Sequence, residues 1–211
     1  MSLSIRPLRR DDVEGCLRVI ASLPRFFAVS DAAAASAEPL DLEPEKVGAH
    51  RPKVGAVRSA SRVTASHPVR PSRGRHGIPD EDDEPAPGGR SIAQAARDLG
   101  TQGGLVALGP GGDVIAFLTW KRHGDKAAEI TWMAVHAALR HRGVGTTLLT
   151  RLERLLAAQG FQNISAITSA SSHTYEPTRR FWRGQGYAPV LQLEDLWETD
   201  VALVLTKSLT P

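Results

Sequence analysis

Hydrophobic positions recur with a clear period toward both ends of the 211-residue chain and lose it in between. At the start, LSIRPL reads as a short strand. Val13, Cys16, Leu17 and Ile20 follow at i, i+3, i+4, i+7 spacing, which predicts a helix over DDVEGCLRVIASL. Asp11, with Glu14 three residues on, has the form of an acidic capping box at its start. The period returns at Ser91, where SIAQAARDLG puts Ile92, Ala95, Ala96 and Leu99 on one helical face with Gly100 as the expected stop. GLVAL, the turn GPGGD and VIAFLTWK then predict an antiparallel hairpin, the glycines supplying the positive φ angles of the reversal. A second turn at HGDK leads into the strand AAEITWMAV. The next helix carries the apolar stripe Val144, Leu148, Leu149, Leu152, Leu155 and Leu156, with Arg151, Glu153 and Arg154 off it. A strand ISAITSA, a helix PTRRFWRGQ and terminal strands at GYAPVLQL and VALVLTK complete the order. It predicts an α/β (α+β) fold with an antiparallel front half and one strand-helix-strand crossover from Trp132 to Ile167.

Between Ala28 and Gly89 the stretch holds eight of the 14 prolines, an alanine cluster, and none of the eleven aromatic residues. Such a segment buries too little apolar surface to offset its ordering entropy, which predicts a disordered or loosely ordered insertion at 28–76. A single domain is then expected from residues 1–27 and 77–211. Within the insertion, Lys46 to Arg75 carries eight Lys or Arg and no acid. It reads as a solvated linker or as a basic arm for nucleic acid or anionic lipid, and the missing aromatics and helical stripe count against the arm. A net charge of +3 permits an anionic ligand without demanding nucleic acid. The lone cysteine, Cys16, excludes an internal disulfide, offers no metal cluster, and is expected in the core of a protein kept in a reducing compartment. There is no apolar run long enough to span a membrane, and the start lacks the apolar centre of a signal peptide, so a soluble cytoplasmic protein is expected.

The candidate chemistry lies in RHRGVG, where Gly143 and Gly145 stand among Arg140, His141 and Arg142 at a strand-to-helix junction. The first turn of a helix leaves backbone N–H groups unpaired at the positive end of its dipole, and glycines let backbone approach a ligand closely. The turn is therefore either an anion cradle or a glycine-eased loop with a solvated basic edge. A dinucleotide fingerprint would need a third glycine where Leu148 stands, and a P-loop would need a Gly-Lys-Ser/Thr ending that is missing.

The stretch AEITWMAVHAALRHRGVGTTLL resembles the acetyl-CoA-binding core of the GNAT superfamily of N-acetyltransferases. There a strand ending in Met/Cys-Ala-Val/Ile precedes R/Q-x-x-G-x-G/A, and Arg140, Gly143 and Gly145 fill that motif. IRPLRRDDVEG resembles the family's first strand and helix, and TRRFWRGQGY its late helix with a closing glycine-aromatic pair. The resemblance covers residues 1–27 and about 77–207, so that LPRFF and GIPDEDDE read as neighbours parted by an insertion of roughly 50 residues. It implies a GNAT-type mixed, mostly antiparallel twisted sheet with a central parallel, splayed strand pair and flanking helices. It also implies acetyl-CoA as co-substrate, no metal, acetyl transfer to a primary amine of a small molecule or peptide by direct attack, and a homodimer as a common assembly. Backbone groups of Met133 and Val135 would pair with the pantetheine arm. An N–H from Met133 or Ala134 would face the thioester oxygen. The N–H groups of His141, Arg142, Gly143, Val144, Gly145 and Thr146 would hold the pyrophosphate, with Arg140 and Arg142 as secondary charges.

An ammonium group has no lone pair, so the amine must lose a proton before it attacks a thioester. Glu129, four residues before Met133 and expected on the same strand face, matches the glutamate of histone-acetylating members; otherwise it is a strand-edge acid paired with Lys126 or Arg122. Many members protonate the departing thiolate with a tyrosine in the late helix, a position held here by Trp182, whose indole N–H is no acid near neutral pH. That leaves Tyr175, a water, or no acid at all; Tyr175 otherwise packs near Pro177. His173 is an alternative base or a solvated loop residue, and Trp182, Tyr187 and Trp197 read as core or pocket wall. Glu194, Asp195, Glu198 and Asp200 either attract a cationic amine or form a solvated edge. Two other functions stay open: an acetyl-CoA-binding module without efficient catalysis, and a nucleic-acid or partner-binding protein acting through the basic arm.

Overall fold

The computed structural model describes residues 3–27, 91–194, 196–197 and 200–209; the expected insertion, the basic stretch Lys46 to Arg75, and Asp195 and Glu198 lie outside the described residues. In chain order the elements are β1 (Ser4–Pro7), α1 (Val13–Ala21), α2 (Ile92–Thr101), β2 (Gly103–Leu108), β3 (Val114–Arg122), β4 (Ala127–Val135), α3 (Val144–Ala158), β5 (Asn163–Ser169), α4 (Glu176–Gly184), β6 (Ala188–Leu193) and β7 (Ala202–Ser208). The strands form one seven-stranded sheet in the order β1-β2-β3-β4-β5-β7-β6. All neighbours are antiparallel except β4 and β5, which α3 joins as a crossover. This is the mixed, mostly antiparallel sheet with one parallel pair that the sequence implied.

Alternation along the strands gives the sheet two apolar faces. Leu105, Ala107, Ala116 and Leu118 pack with Leu148, Leu149, Leu152 and Leu156 of α3 and Trp182 of α4. Val106 and Phe117 pack on the other face with Cys16, Val19 and Ile20 of α1 and Ala95 and Leu99 of α2. Cys16 is fully buried in that second core, and burial pushes its thiol up to about 12, so it stays a protonated packing group. Among the described residues no helix is long and apolar enough to cross a membrane.

Three local expectations need correction. The cap of α1 is not the Asp11–Glu14 pair: Asp12 accepts from the Arg9 N–H at 2.7 Å across a short 3-10 turn, and Glu14 instead pairs with Arg18. Helix α2 runs through Gly100 to Thr101 and stops where Gln102 turns extended, its start being capped by the Ser91 hydroxyl, which accepts from Gln94 N–H at 3.2 Å. On α3, Leu155 faces solvent and Glu153 takes the inner flank, because Lys207 on β7 reaches it at 2.7 Å.

Asp12 also receives both guanidinium nitrogens of Arg6 at 2.6 and 2.7 Å, tying β1 to the start of α1. The Arg6 hydrogen bonds, helped by the Arg9 N–H, hold its carboxyl below the ordinary carboxylate range against the desolvation that opposes them. A depressed folded-state pKa contributes stability that is complete above the unfolded value and is lost as pH falls through the folded one. Asp12→Ala should therefore lower stability at pH 7 by about 2 kcal/mol. In urea titrations across pH, the gap between wild type and variant should close below about pH 4.

Candidate active site

Strand β4 changes its facing partway along. Ala128 and Ile130 belong to the α3 side, whereas Trp132 and Ala134 belong to the α1 and α2 side. The cause is a bulge: Thr119 of β3 pairs with Trp132 and Trp120 with Ile130, which leaves Thr131 as the extra residue. Its hydroxyl is fixed by Thr119 Oγ1 at 2.7 Å and by the side-chain oxygen of Gln102. Pairing with β5 runs from Ala127 to Ile130 and ends there, although β4 continues to Val135 and β5 to Ser169. The two parallel strands thus part at the bulge and leave a gap in the middle of the sheet.

An antiparallel ladder turns alternate residues toward and away from a given neighbour. His136 N–H bonds Ile115 C=O of β3, so Ala134 also turns its backbone to β3, while Met133 and Val135 turn theirs to the gap. A cavity of about 790 Å³ occupies this opening and runs from the gap to the start of α3. Met133, Ala134 and Val135 line it, with Arg140, His141, Gly143, Val144, Gly145 and Thr146 at the other end. Arg142 is exposed and is not part of the wall.

The turn before α3 has an unusual backbone. Gly143 sits at φ 78° and His141, a non-glycine, at φ 62°, both left-handed. Left-handed residues next to a helix start bring successive N–H groups to one side, where the helix dipole adds positive potential. A Cβ on Gly145 would lie 3.3 Å from Met133 Cε and 3.5 Å from Val135 Cγ2, so the absent side chain keeps α3 close to the gap-lining part of β4.

The far wall comes from residues that the sequence did not single out. After α1 the chain brings Leu23, Phe26 and Phe27 to the cavity. Tyr175 donates its hydroxyl to Phe26 C=O at 2.6 Å and meets the Phe26 ring edge-on at 5.2 Å. The Arg140 guanidinium lies over the same ring at 4.6 Å, and burial lowers its pKa somewhat from the ordinary value. Two adjacent aromatics a few residues past the end of α1 were the available signal in LPRFF.

Residues 74–187 match the family model of the Acetyltransferase (GNAT) family. The chain belongs to the GNAT acetyltransferase family. It is accordingly an acyltransferase, with acetyl transfer in general as its chemistry. Among solved structures, a GNAT-family protein from Desulfovibrio desulfuricans is 16% identical and aligns over 99% of this chain and 100% of its own, with a TM-score of 0.61. An aminoglycoside 6'-N-acetyltransferase complexed with coenzyme A is 18% identical over 57% of this chain and 80% of its own, with a TM-score of 0.49. An IAA acetyltransferase from Bacillus cereus is 20% identical over 56% and 85%, with a TM-score of 0.48. At these identities the likeness is one of fold. No curated protein matches the sequence.

The expected catalytic residues of this GNAT chain are placed less simply than its cavity. Glu129 does not share a face with Met133, because the bulge between them inverts the alternation. Its carboxylate pairs with Lys121 at 3.2 Å and His123 at 3.5 Å, not with Lys126 or Arg122, and it stands outside the cavity wall. Tyr175 does line the cavity. His173 is exposed and away from it. Trp182 is buried against Tyr187, ring centroids 4.8 Å apart, and with Trp197 contributes pocket wall. Glu194 is exposed, while Asp200 is buried and engaged by the Ser171 hydroxyl and, at 2.7 Å, by the Val201 N–H, so it offers no exposed acidic edge. Among the described residues no group of three or more His, Cys, Asp or Glu is placed to hold a metal ion.

The two glycines of the turn differ in what they do for the fold. Nothing lies within 4 Å of a Cβ on Gly143, so Gly143→Ala suffers only from its left-handed backbone and should lose about 1–2 kcal/mol. Gly145 has an ordinary helical backbone, and a Cβ there would be tight only against the end of a flexible methionine, Val135 and Phe181 lying at ordinary contact distance, so Gly145→Ala should change stability by less than about 1 kcal/mol. Thermal and urea unfolding of the two variants side by side check both.

Proposed function

We propose that the chain transfers an acetyl group from acetyl-CoA to a primary amine of a small molecule or peptide by direct attack on the thioester. The observation that carries this is the continuity of one cavity from the unpaired β4 edge at Met133 and Val135 to the left-handed turn and first helical residues at 141–146. The residues fit the coenzyme. An extended amide-bearing arm can add to the free strand edge as a further strand would, and a diphosphate suits the N–H groups at the start of α3. Glycine at 145 lets the start of α3 lie close against the gap-lining part of β4, so that the strand edge and the helix start adjoin along one path.

Acetyl-CoA supplies an acyl group on a leaving thiolate. Met133 presents its N–H at the gap, where a carbonyl oxygen gaining negative charge would be stabilised; Ala134, turned toward β3, contributes wall only. Arg140, stacked on Phe26, adds positive potential without needing to touch a phosphate. Glu129 lies one pairing short of the gap, on the sheet face of Trp132 and Ala134, and acts in this scheme as a base through intervening water. Lys121 stays paired with it at 3.2 Å. Tyr175 spends its proton on Phe26 C=O and serves to position the wall, the thiolate departing to solvent.

With purified protein, coenzyme A should raise the unfolding temperature, and acetyl-CoA with an amine panel should release thiol. Gly145→Ala should weaken coenzyme A binding, read by calorimetry, while keeping its stability. Glu129→Gln should lower kcat by about 100-fold with coenzyme affinity unchanged. Stabilisation by coenzyme A without thiol release from any amine would instead make the chain a binding module; an unaltered kcat would remove Glu129 from the mechanism.

A further inference from the structure

The cavity has two chemically different ends. Its α3 end is the glycine turn and the first helical residues, with Arg140 and His141 beside them. On the side of the sheet that carries α1 and α2, the walls are Leu23, Phe26, Phe27 and Trp132, with Tyr175 against Phe26. The rings are arranged rather than merely present. Phe27 and Trp132 lie 5.7 Å apart at a tilt of 34°, and Phe26 meets Tyr175 edge-on at 5.2 Å. Trp132 is held from behind: its Nε1–H donates to Asp98 Oδ2 of α2 at 2.7 Å, and Asp98 Oδ1 accepts from Gln94 Nε2 at 2.9 Å. An indole anchored in this way keeps its orientation when a ligand arrives, which is the preorganisation that makes an aromatic wall selective.

The charges point the same way. Among the described residues the ionisable side chains lining the cavity, tyrosine aside, are Arg140, His141 and Arg180, and no carboxylate lines it. Asp98 stands behind the indole with both oxygens engaged, Glu129 is outside the wall with Lys121, and Asp200 is buried against Ser171. One face of Phe26 already carries Arg140. A polycationic acceptor would have to shed water into an aromatic wall beside basic groups, whereas a flat apolar body would gain by burial there.

We infer that the acceptor is a monoamine carried on an aromatic or bulky apolar body, with Phe27 and Trp132 as the specificity-determining wall and Asp98 as the residue that positions Trp132. This rests on the acetyl-transfer reading of the same cavity. The test is thiol release by the full chain at saturating acetyl-CoA, with phenethylamine and tryptamine set against spermidine and a lysine-containing peptide. The aromatic amines should exceed the cationic ones in kcat/KM by about tenfold or more. Phe27→Ala should raise KM for the aromatic amines by about tenfold, with coenzyme A affinity unchanged. Asp98→Ala should raise the same KM, and Asp98→Asn, whose amide oxygen can still accept the indole proton, should restore most of it. A preference for spermidine or the peptide, or a Phe27→Ala variant with every KM unaltered, overturns the inference and leaves acetyl transfer standing. The wild-type panel decides this even should a variant fail to fold. No thiol release from any amine overturns the acetyl-transfer reading and the inference with it.

Discussion

One inserted residue governs the central part of this molecule. A β-strand cannot turn the same residues to both faces of a sheet, and β4 must supply core to two separate layers while leaving part of its edge unpaired. The bulge at Thr131 resolves this. Before it, Ala128 and Ile130 fill the α3 layer and β4 pairs with β5; beyond it, Trp132 and Ala134 fill the α1 and α2 layer and the pairing has ended. An extra residue increases local twist and bends the bulged strand, which carries β4 away from its parallel partner. The gap between parallel strands is thus produced by the same event that reverses the facing. Thr131 itself is polar and nearly buried, a position that would be costly without the hydroxyl of Thr119 and the side chain of Gln102 to receive it.

That requirement gives α2 its role. The helix covers the apolar face of β2 and β3 through Ala95 and Leu99, and the same stretch of chain supplies Asp98 to the Trp132 indole and Gln102 to the bulge. Both contacts span about thirty positions of sequence and reach across the hairpin of β2 and β3 to β4. The cavity wall and the distortion that opens the cavity are therefore fixed from one side by one short helix.

The elements were legible because their apolar periods are strong, and the turn before α3 because Gly143 and Gly145 are needed where they stand. The details that failed share a cause. Helix ends depend on which polar group reaches the free N–H, and at α1 Asp12 wins over Asp11 because Arg6 draws it in from another element. The expectation that Glu129 shares a face with Met133 assumed strict alternation, and nothing in AEITWMAV announces a bulge, which arises from register against β3. Lys121 rather than Arg122 pairs with Glu129 for the same reason: register sets Lys121 directly opposite. Tertiary contacts over long separations, such as Tyr175 to Phe26 across 149 residues, leave no local trace at all.

Phe26 joins the two ends of the cavity into one mechanical unit. Its ring takes Arg140 of the glycine turn on one side and Tyr175 on another, while its carbonyl takes the Tyr175 hydroxyl. A guanidinium stacked on a ring is less free to extend into solvent, and burial of Arg140 adds to that restraint. The arginine of the R-x-x-G-x-G pattern is thereby engaged in holding the segment after α1 in place. In the function we propose, anion binding at the turn falls to backbone N–H groups, whose geometry His141 and Gly143 set by their left-handed conformations. The division is physically sensible: backbone dipoles are fixed by the fold and need no reordering, while a long flexible cation does more for the cavity as part of its wall.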